Sequence, residues 1–348
     1  MALTPSPWNR RSCSSLRTTW TRVVPQLDQS RTTCRPRTPV APTTAIASLD
    51  DRVPHRFKHG LAAPQPYSRG MHRPNAAAIT FRALHQSGCF VLPNPWDVGT
   101  AVYLQHLGFK ALATTSGGFA FSQGRADEQV PRDVVLTHLR EIVAAVSVPV
   151  NADFQGGYAR DPEGVASNVA LCVETGVAGL SIEDASGNQS APLYEETLAV
   201  ERIVAARAAI DATGSGVMLT GRCEAWLVGH PEPRRTALDR LVAYADAGAD
   251  VLFAPGARDP ADIKAIVKAV HPKPVNVLVS APITGISVAA LADFGVRRVS
   301  VGSALARAAW GAFIRAARGL AGAGSFEGLA DAAPYAELNR FFGEWRPR

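Results

Sequence analysis

An alternation repeated eight times between Cys89 and Leu320, of a short apolar segment followed by a longer one with helical period, restricts the fold of this chain more than any other feature. The apolar segments are Cys89 to Pro93, Ala111 to Ser116, Val148 to Asp153, Gly179 to Asp184, Val217 to Arg222, Val251 to Pro255, Val275 to Ser280 and Arg298 to Gly302. The helical candidates are Val98 to Leu107, Arg132 to Val146, Pro162 to Thr175, Glu195 to Ala212, Arg234 to Ala247, Pro260 to Val270, Val288 to Phe294 and Ser303 to Leu320. In Arg234 to Ala247, for example, Leu238, Leu241, Val242 and Ala245 keep the 3, 4, 7 spacing of a helix with one buried face. Buried strands alternating with such helices predict βαβ units and a parallel sheet. Gly108, Gly176, Gly248 and Gly295 fall where a helix must stop before the next strand. Eight units after Met71 predict a closed (β/α)8 TIM-type barrel, a fold of about 250 residues. The alternative is a doubly wound open sheet, against which no G-x-G-x-x-G follows the first strand.

Two stretches lie outside the barrel units. Residues 1–70 hold 11 Lys and Arg against 3 Asp and Glu, while the rest of the chain holds 25 against 27. The net charge of +6 therefore belongs to this leader, which argues against a nucleic-acid function. The leader is rich in Arg, Ser and Pro and lacks a sustained period, so it reads as disordered. It has no long apolar run, so no secretory signal or membrane span is expected. It is either an organelle transit segment, giving a mitochondrial protein, or sequence upstream of a start at Met71, giving a cytoplasmic one. At the other end, Tyr335, Leu338, Phe341, Phe342 and Trp345 form an amphipathic tail that must cover itself, on its own barrel or on a neighbouring subunit. The five cysteines include no C-x-x-C pair and indicate neither a disulfide framework nor a zinc knuckle.

Barrels of this type carry their sites at the C-terminal strand ends. Those positions are Asn94, Trp96 and Asp97; then Thr115, Ser116, Gly117 and Gly118, with Asp127 in the loop beyond; then Asp153 and Gln155; Glu183 and Asp184; Arg222 and Glu224; and Pro255, Ser280 and Ser303. Asp127, Asp153 and Glu183 beside Arg222 concentrate charge, and clustered carboxylates repel unless a cation lies between them. Oxygen ligands of this kind suit Mg²⁺ or Mn²⁺. Each acid taken singly also reads as a helix N-cap or loop charge, and Asp97 and Asp184 fit that plainer role. Ser116-Gly117-Gly118 is a cradle of N–H groups for a carboxylate or enolate oxygen, or simply a tight turn. No histidine pair sits at a strand end, none of the five lysines is placed for a Schiff base, and no G-x-S-x-G elbow is present. Cys223 follows Arg222 directly and faces the other way if Arg222 points inward.

The segments Asn94-Pro95-Trp96-Asp97, Thr115-Ser116-Gly117, Gly124 to Asp127, Ala152-Asp153 through Tyr158, Ser181 to Asp184, Arg222, Ala247 to Asp250, Pro255-Gly256 and Val299 to Gly302 resemble the isocitrate lyase and phosphoenolpyruvate mutase superfamily, over about Ala76 to Leu320. The resemblance implies a barrel whose last helix is exchanged between subunits of a homodimer or homotetramer. It also implies Mg²⁺ held beneath a small 2-oxo or enolpyruvyl acid. On that basis Asp153 and Glu183 are metal-site acids, with Gln155 where the superfamily often has a second acid. Asp127 is a nearby acid, Trp96, Ser116, Gly117 and Gly118 belong to the substrate side, and Arg222 neutralises a carboxylate or developing enolate. The mobile loop departs from the pattern: Ala185 to Pro192 has no Lys, Cys or His, leaving Asn188 and Ser190 as partial substitutes. The expected activity is Mg²⁺-dependent cleavage of a C–C bond at C3, with P–C bond formation by a phosphonomutase as the alternative. A barrel that binds such acids without turning them over is the remaining possibility.

Overall fold

The structure, a computed structural model, describes residues 75–346. The leader at 1–70 lies outside these residues. Eight parallel strands, β1 (Phe90–Leu92), β2 (Leu112–Ala113), β3 (Val150–Asp153), β4 (Gly179–Glu183), β5 (Met218–Arg222), β6 (Val251–Phe253), β7 (Val275–Leu278) and β8 (Arg298–Ser300), pair in the order β1-β8-β7-β6-β5-β4-β3-β2. The β1–β2 seam is closed by the Ala113 N–H donating to the Pro93 carbonyl at 3.0 Å. Asn94 reinforces it: its Nδ2 donates to the Thr114 carbonyl, and its Oδ1 accepts the N–H groups of Val301 and Gly302. The sheet is thus the expected (β/α)8 barrel rather than an open one.

The helices are α1 (Ala76–Leu84), α2 (Val98–His106), α3 (Ser116–Ser122), α4 (Arg132–Ala145), α5 (Pro162–Val173), α6 (Glu196–Thr213), α7 (Pro233–Asp246), α8 (Pro260–Val270), α9 (Val288–Asp293), α10 (Ala304–Ala323) and α11 (Tyr335–Glu344). The four helix-ending glycines take φ of 89°, 87°, 100° and 90° in chain order, a region closed to most side chains. Two helices have no counterpart in the sequence pattern. One is α3, which starts inside the segment read as strand two because Thr115 caps it, accepting the Gly118 N–H. The other is α1, capped by Asn75, which drives Phe81 into the N-terminal end of the barrel against Leu92, Met218 and Val251.

Strand pleating sorts the residues of the sheet into two sets. Ala152, Leu180, Ile182, Leu219, Leu252, Val275, Val277 and Val299 face outward and join the helices in one large apolar cluster. Burial of each Leu, Ile or Val there contributes roughly 1.5–3 kcal/mol. Their alternates face inward and are largely polar: Asn151, Asp153, Ser181, Glu183, Thr220, Arg222, Asn276, Arg298 and Ser300. Barrels of this class usually fill that space with branched apolar side chains.

The tail returns to its own barrel. Phe341 of α11 meets Tyr103 and His106 of α2 with ring centroids 5.1 and 4.9 Å apart. By contrast α10 buries only Ala306 and leaves Trp310, Phe313, Ile314 and Leu320 exposed. Among the described residues, no helix is long and apolar enough to cross a membrane.

Candidate active site

Neighbouring strand ends bring the acids and Arg222 together. Glu183 on β4 is in register with Arg222 on β5, and Asp153 closes the adjoining β3. Arg222 Nη1 lies 3.2 Å from both Asp153 Oδ1 and Glu183 Oε2, while its Nε donates to Glu224 Oε1. Three carboxylates therefore share one guanidinium. Burial opposes the charge on Arg222, but Glu183, Glu224 and Asp153 outweigh it and hold the guanidinium well above its ordinary pKa. Burial pushes Glu183 upward; Arg222 opposes this, and Glu224 and Asp153 add to it. Asp153 is fixed from the β2 side, its Oδ2 accepting the Ser116 N–H at 2.9 Å and its own N–H donating to Thr114 Oγ1.

Asp127 comes from an exposed loop and turns its carboxyl inward. Burial of that group, and then the charge of Asp153, push it up, against hydrogen bonds from Ser116 and the Glu128 N–H. Glu128 and Gln155, either side of it, both have left-handed backbone (φ 66° and 48°), and such strain in non-glycine residues concentrates at functional sites. A cavity of about 190 Å³ opens here, lined at its mouth by Ser116, Gly117, Asp127, Asp153, Arg222 and Ser303. A Cβ on Gly117 would stand 2.9 Å from Asp127 Oδ2, so any side chain there would push the Asp127 carboxyl aside.

Other candidates lie elsewhere. Trp96 lines a separate groove with Trp310 and Phe313 along α10. Gly118 spends its N–H on Thr115 and packs against Trp96 and Ala306, and Ser116 spends its own on Asp153, so the three-residue N–H cradle reduces to Gly117, with the Ser116 side chain beside it. Asn188 sits in a second surface groove beside Glu128 and Pro192, its Oδ1 accepting from Ser190, because the loop after β4 folds tightly on itself through the Ala185–Leu193 bridge. Gln155 directs its Nε2 toward Asp127 Oδ1 at 3.4 Å and does not line the cavity. Asp97 is the expected helix cap, of α2. Asp184 is the other structural acid, accepting the Glu224 N–H, Arg240 Nη1 and Tyr244 OH. Cys223 is fully buried, its thiol pushed up by burial, as its outward register requires. The pattern read from the sequence undervalued Glu224, although its i+2 spacing from Arg222 marked it.

The donor set accommodates a hard divalent cation in a limited way. Among the described residues no three His, Cys, Asp or Glu side chains surround one point. Two carboxylates, Asp153 and Glu183, converge, and the rim carries more negative charge than Arg222 balances. Mg²⁺ is commonly held by one or two carboxylates, with water and substrate oxygens completing its shell.

A closed parallel barrel with acids and an arginine at its strand ends is the build of the superfamily of lyases and phosphomutases anticipated above. This chain belongs to the family described as phosphoenolpyruvate phosphomutase, whose model matches residues 81–321. It is 35% identical to an uncharacterized protein of Mycobacterium tuberculosis over 75% of this chain and 95% of that one. A solved structure from Burkholderia cenocepacia, provisionally described as a lyase/mutase, is 47% identical with a TM-score of 0.74, covering 77% of this chain and 96% of that one. The 2-methylisocitrate lyase of Salmonella typhimurium is 33% identical over 53% of this chain and 62% of its own length.

Proposed function

We propose that this protein is a Mg²⁺-dependent lyase that cleaves a C–C bond at C3 of a small 2-oxo or enolpyruvyl carboxylic acid through an enolate. The observation that carries the reading is the convergence of Asp153 and Glu183 on Arg222, with Asp153 and Arg222 lining a cavity sized for a small acid. Asp153 and Glu183 would hold the cation, with Mn²⁺ as a substitute. When bound, it would polarise the substrate oxygen that becomes the enolate. Arg222 is fixed before the reaction by its three carboxylate partners, so its positive charge faces the developing oxyanion without reorganisation. Ser116 and Gly117 line the wall on which the substrate carboxylate would rest, and Asp127, which lines the same cavity, would exchange a proton with the substrate. Similarity to 2-methylisocitrate lyase favours C–C chemistry. The phosphomutase description of the family model supports the second reading, P–C bond formation.

The apolar stripe of α10, which no described residue covers, supports a homodimer or homotetramer in which a second copy covers Trp310 and Phe313.

A panel of 2-oxo acids, 2-hydroxy acids and phosphonates, incubated with Mg²⁺ and with chelator, tests the reaction. Pyruvate or another cleavage product that appears only with Mg²⁺ and is lost in Asp153→Ala is the expected result. A rearranged phosphorus signal selects the second reading, and an Asp153→Ala variant with unchanged metal binding and turnover refutes the site.

A further inference from the structure

Beneath the acidic rim, the barrel holds a second guanidinium in the opposite electrostatic situation. Arg298, the first residue of β8, points inward and is 2% exposed. Its Nε donates to Asn276 Oδ1 at 2.9 Å and its Nη2 to Thr220 Oγ1 at 3.1 Å, and Nη1 lies 3.5 Å from His85 Nε2. All three partners are uncharged: His85, buried and next to Arg298, has its pKa pulled down to about 3. No carboxylate of the described residues pairs with Arg298, and burial alone draws its pKa down to about 9.

The depth of this charge follows from strand geometry. Thr220 and Arg222 are two residues apart on β5, hence on one face and about 7 Å apart along the strand. Because the Arg298 guanidinium rests on Thr220, it lies one interior layer below Arg222. Arg222 and Arg298 line the same cavity, together with Asn151, Asn276 and Ser300. Asp127 and Asp153 line the cavity beside Arg222 at its mouth, whereas at its floor the Arg298 guanidinium has no carboxylate partner among the described residues.

Burying an unpaired charge costs stability, and a purely structural filler at that depth would be apolar or paired. We propose that Arg298 makes the floor of the cavity an anion subsite, which takes a carboxylate entering from the mouth and leaves the reactive end of the ligand beside Asp153 and Arg222. This rests on the reading that the cavity admits small carboxylic acids. The carboxylate is either the distal group of a dicarboxylic acid or a separate small anion; the recognition chemistry is the same.

The test uses the full chain and two variants, Arg298→Gln and Asn276→Asp. The second supplies the missing carboxylate where Nε already bonds at 2.9 Å, so it fills the subsite from within. It should fold and melt above wild type, which guards against loss of binding through unfolding. Calorimetric titration in metal-free buffer with acetate, chloride, oxalate, malonate, succinate and glutarate should show binding to wild type, weakened about 10- to 100-fold in both variants, the loss expected for a charge-assisted contact. A length optimum among the dicarboxylates that disappears in the variants identifies a distal carboxylate. Equal competition by chloride and acetate identifies a free anion, and either supports the subsite. Absence of binding to wild type, or affinities within twofold of wild type in Asn276→Asp, overturns it. Failure of the lyase reading is separable: no 2-oxo acid turns over while anion binding and its loss in the variants persist.

Discussion

Removing the Arg222 guanidinium gives the sharpest check on the electrostatics of the rim. Arg222→Met keeps most of the side-chain volume and leaves Asp153, Glu183 and Glu224, with side chains 17%, 9% and 6% exposed, without their common partner. Breaking a buried ion pair by deleting one member costs about 3–5 kcal/mol. In a domain of this size that corresponds to a fall of about 6–20 °C in Tm. The loss should depend on pH with a definite sign. Burial already raises the folded-state pKa values of Glu183 and Glu224 above the ordinary carboxyl value, with Arg222 opposing, and without Arg222 both rise further. A carboxyl raised in the folded state stabilises fully below its unfolded pKa, and that contribution is lost as pH rises through the folded value. Wild-type Glu183 keeps its proton up to about pH 8, so the variant should melt closest to wild type near pH 5.5 and fall progressively below it as pH rises through 8 and beyond. Thermal melts by circular dichroism in metal-free buffer at constant ionic strength measure both curves. A deficit that stays constant or grows on acidification, or that is still below about 1 kcal/mol above pH 8, would refute the shared-guanidinium account.

The remaining predictions concern the buried histidines and the outer helix. His138 stacks on Phe119 with centroids 3.8 Å apart, and its buried Nε2 has no partner among the described residues; burial pulls its pKa down to about 4, and that of His85 to about 3. Histidines depressed in this way stabilise fully above their ordinary value and lose that contribution as pH falls below it, about 2 kcal/mol each by pH 5. His138→Phe should flatten the loss of stability between pH 6.5 and 5 seen in denaturant titrations; an unaltered slope counts against burial as the cause. Phe313 and Trp310 are 61% and 40% exposed on α10. If a second copy covers them, light scattering should show the native protein as a dimer or tetramer and the Trp310→Glu, Phe313→Glu double variant as a monomer, whereas a monomeric wild type refutes that interface.

Much of this molecule was determined by sequence alone, because period and pleat are local properties. The alternation of apolar and amphipathic segments specified eight βα units, and the glycines at helix ends punctuated them. The strand-end position of Asp153, Glu183 and Arg222 followed from the same pattern, as did the outward register of Cys223. Other features depended on residues far apart in the chain. Barrel closure, held by Asn94 between β2 and the end of β8, decided that the rim is continuous. The path of the loops carried Asn188 and Trp96 into grooves of their own, and turned Gln155 toward Asp127. The tertiary structure also decided the balance of charge. Which carboxylates meet Arg222, and that none meets Arg298, depends on how the strands stagger around the barrel, a geometry that no local periodicity in the chain records.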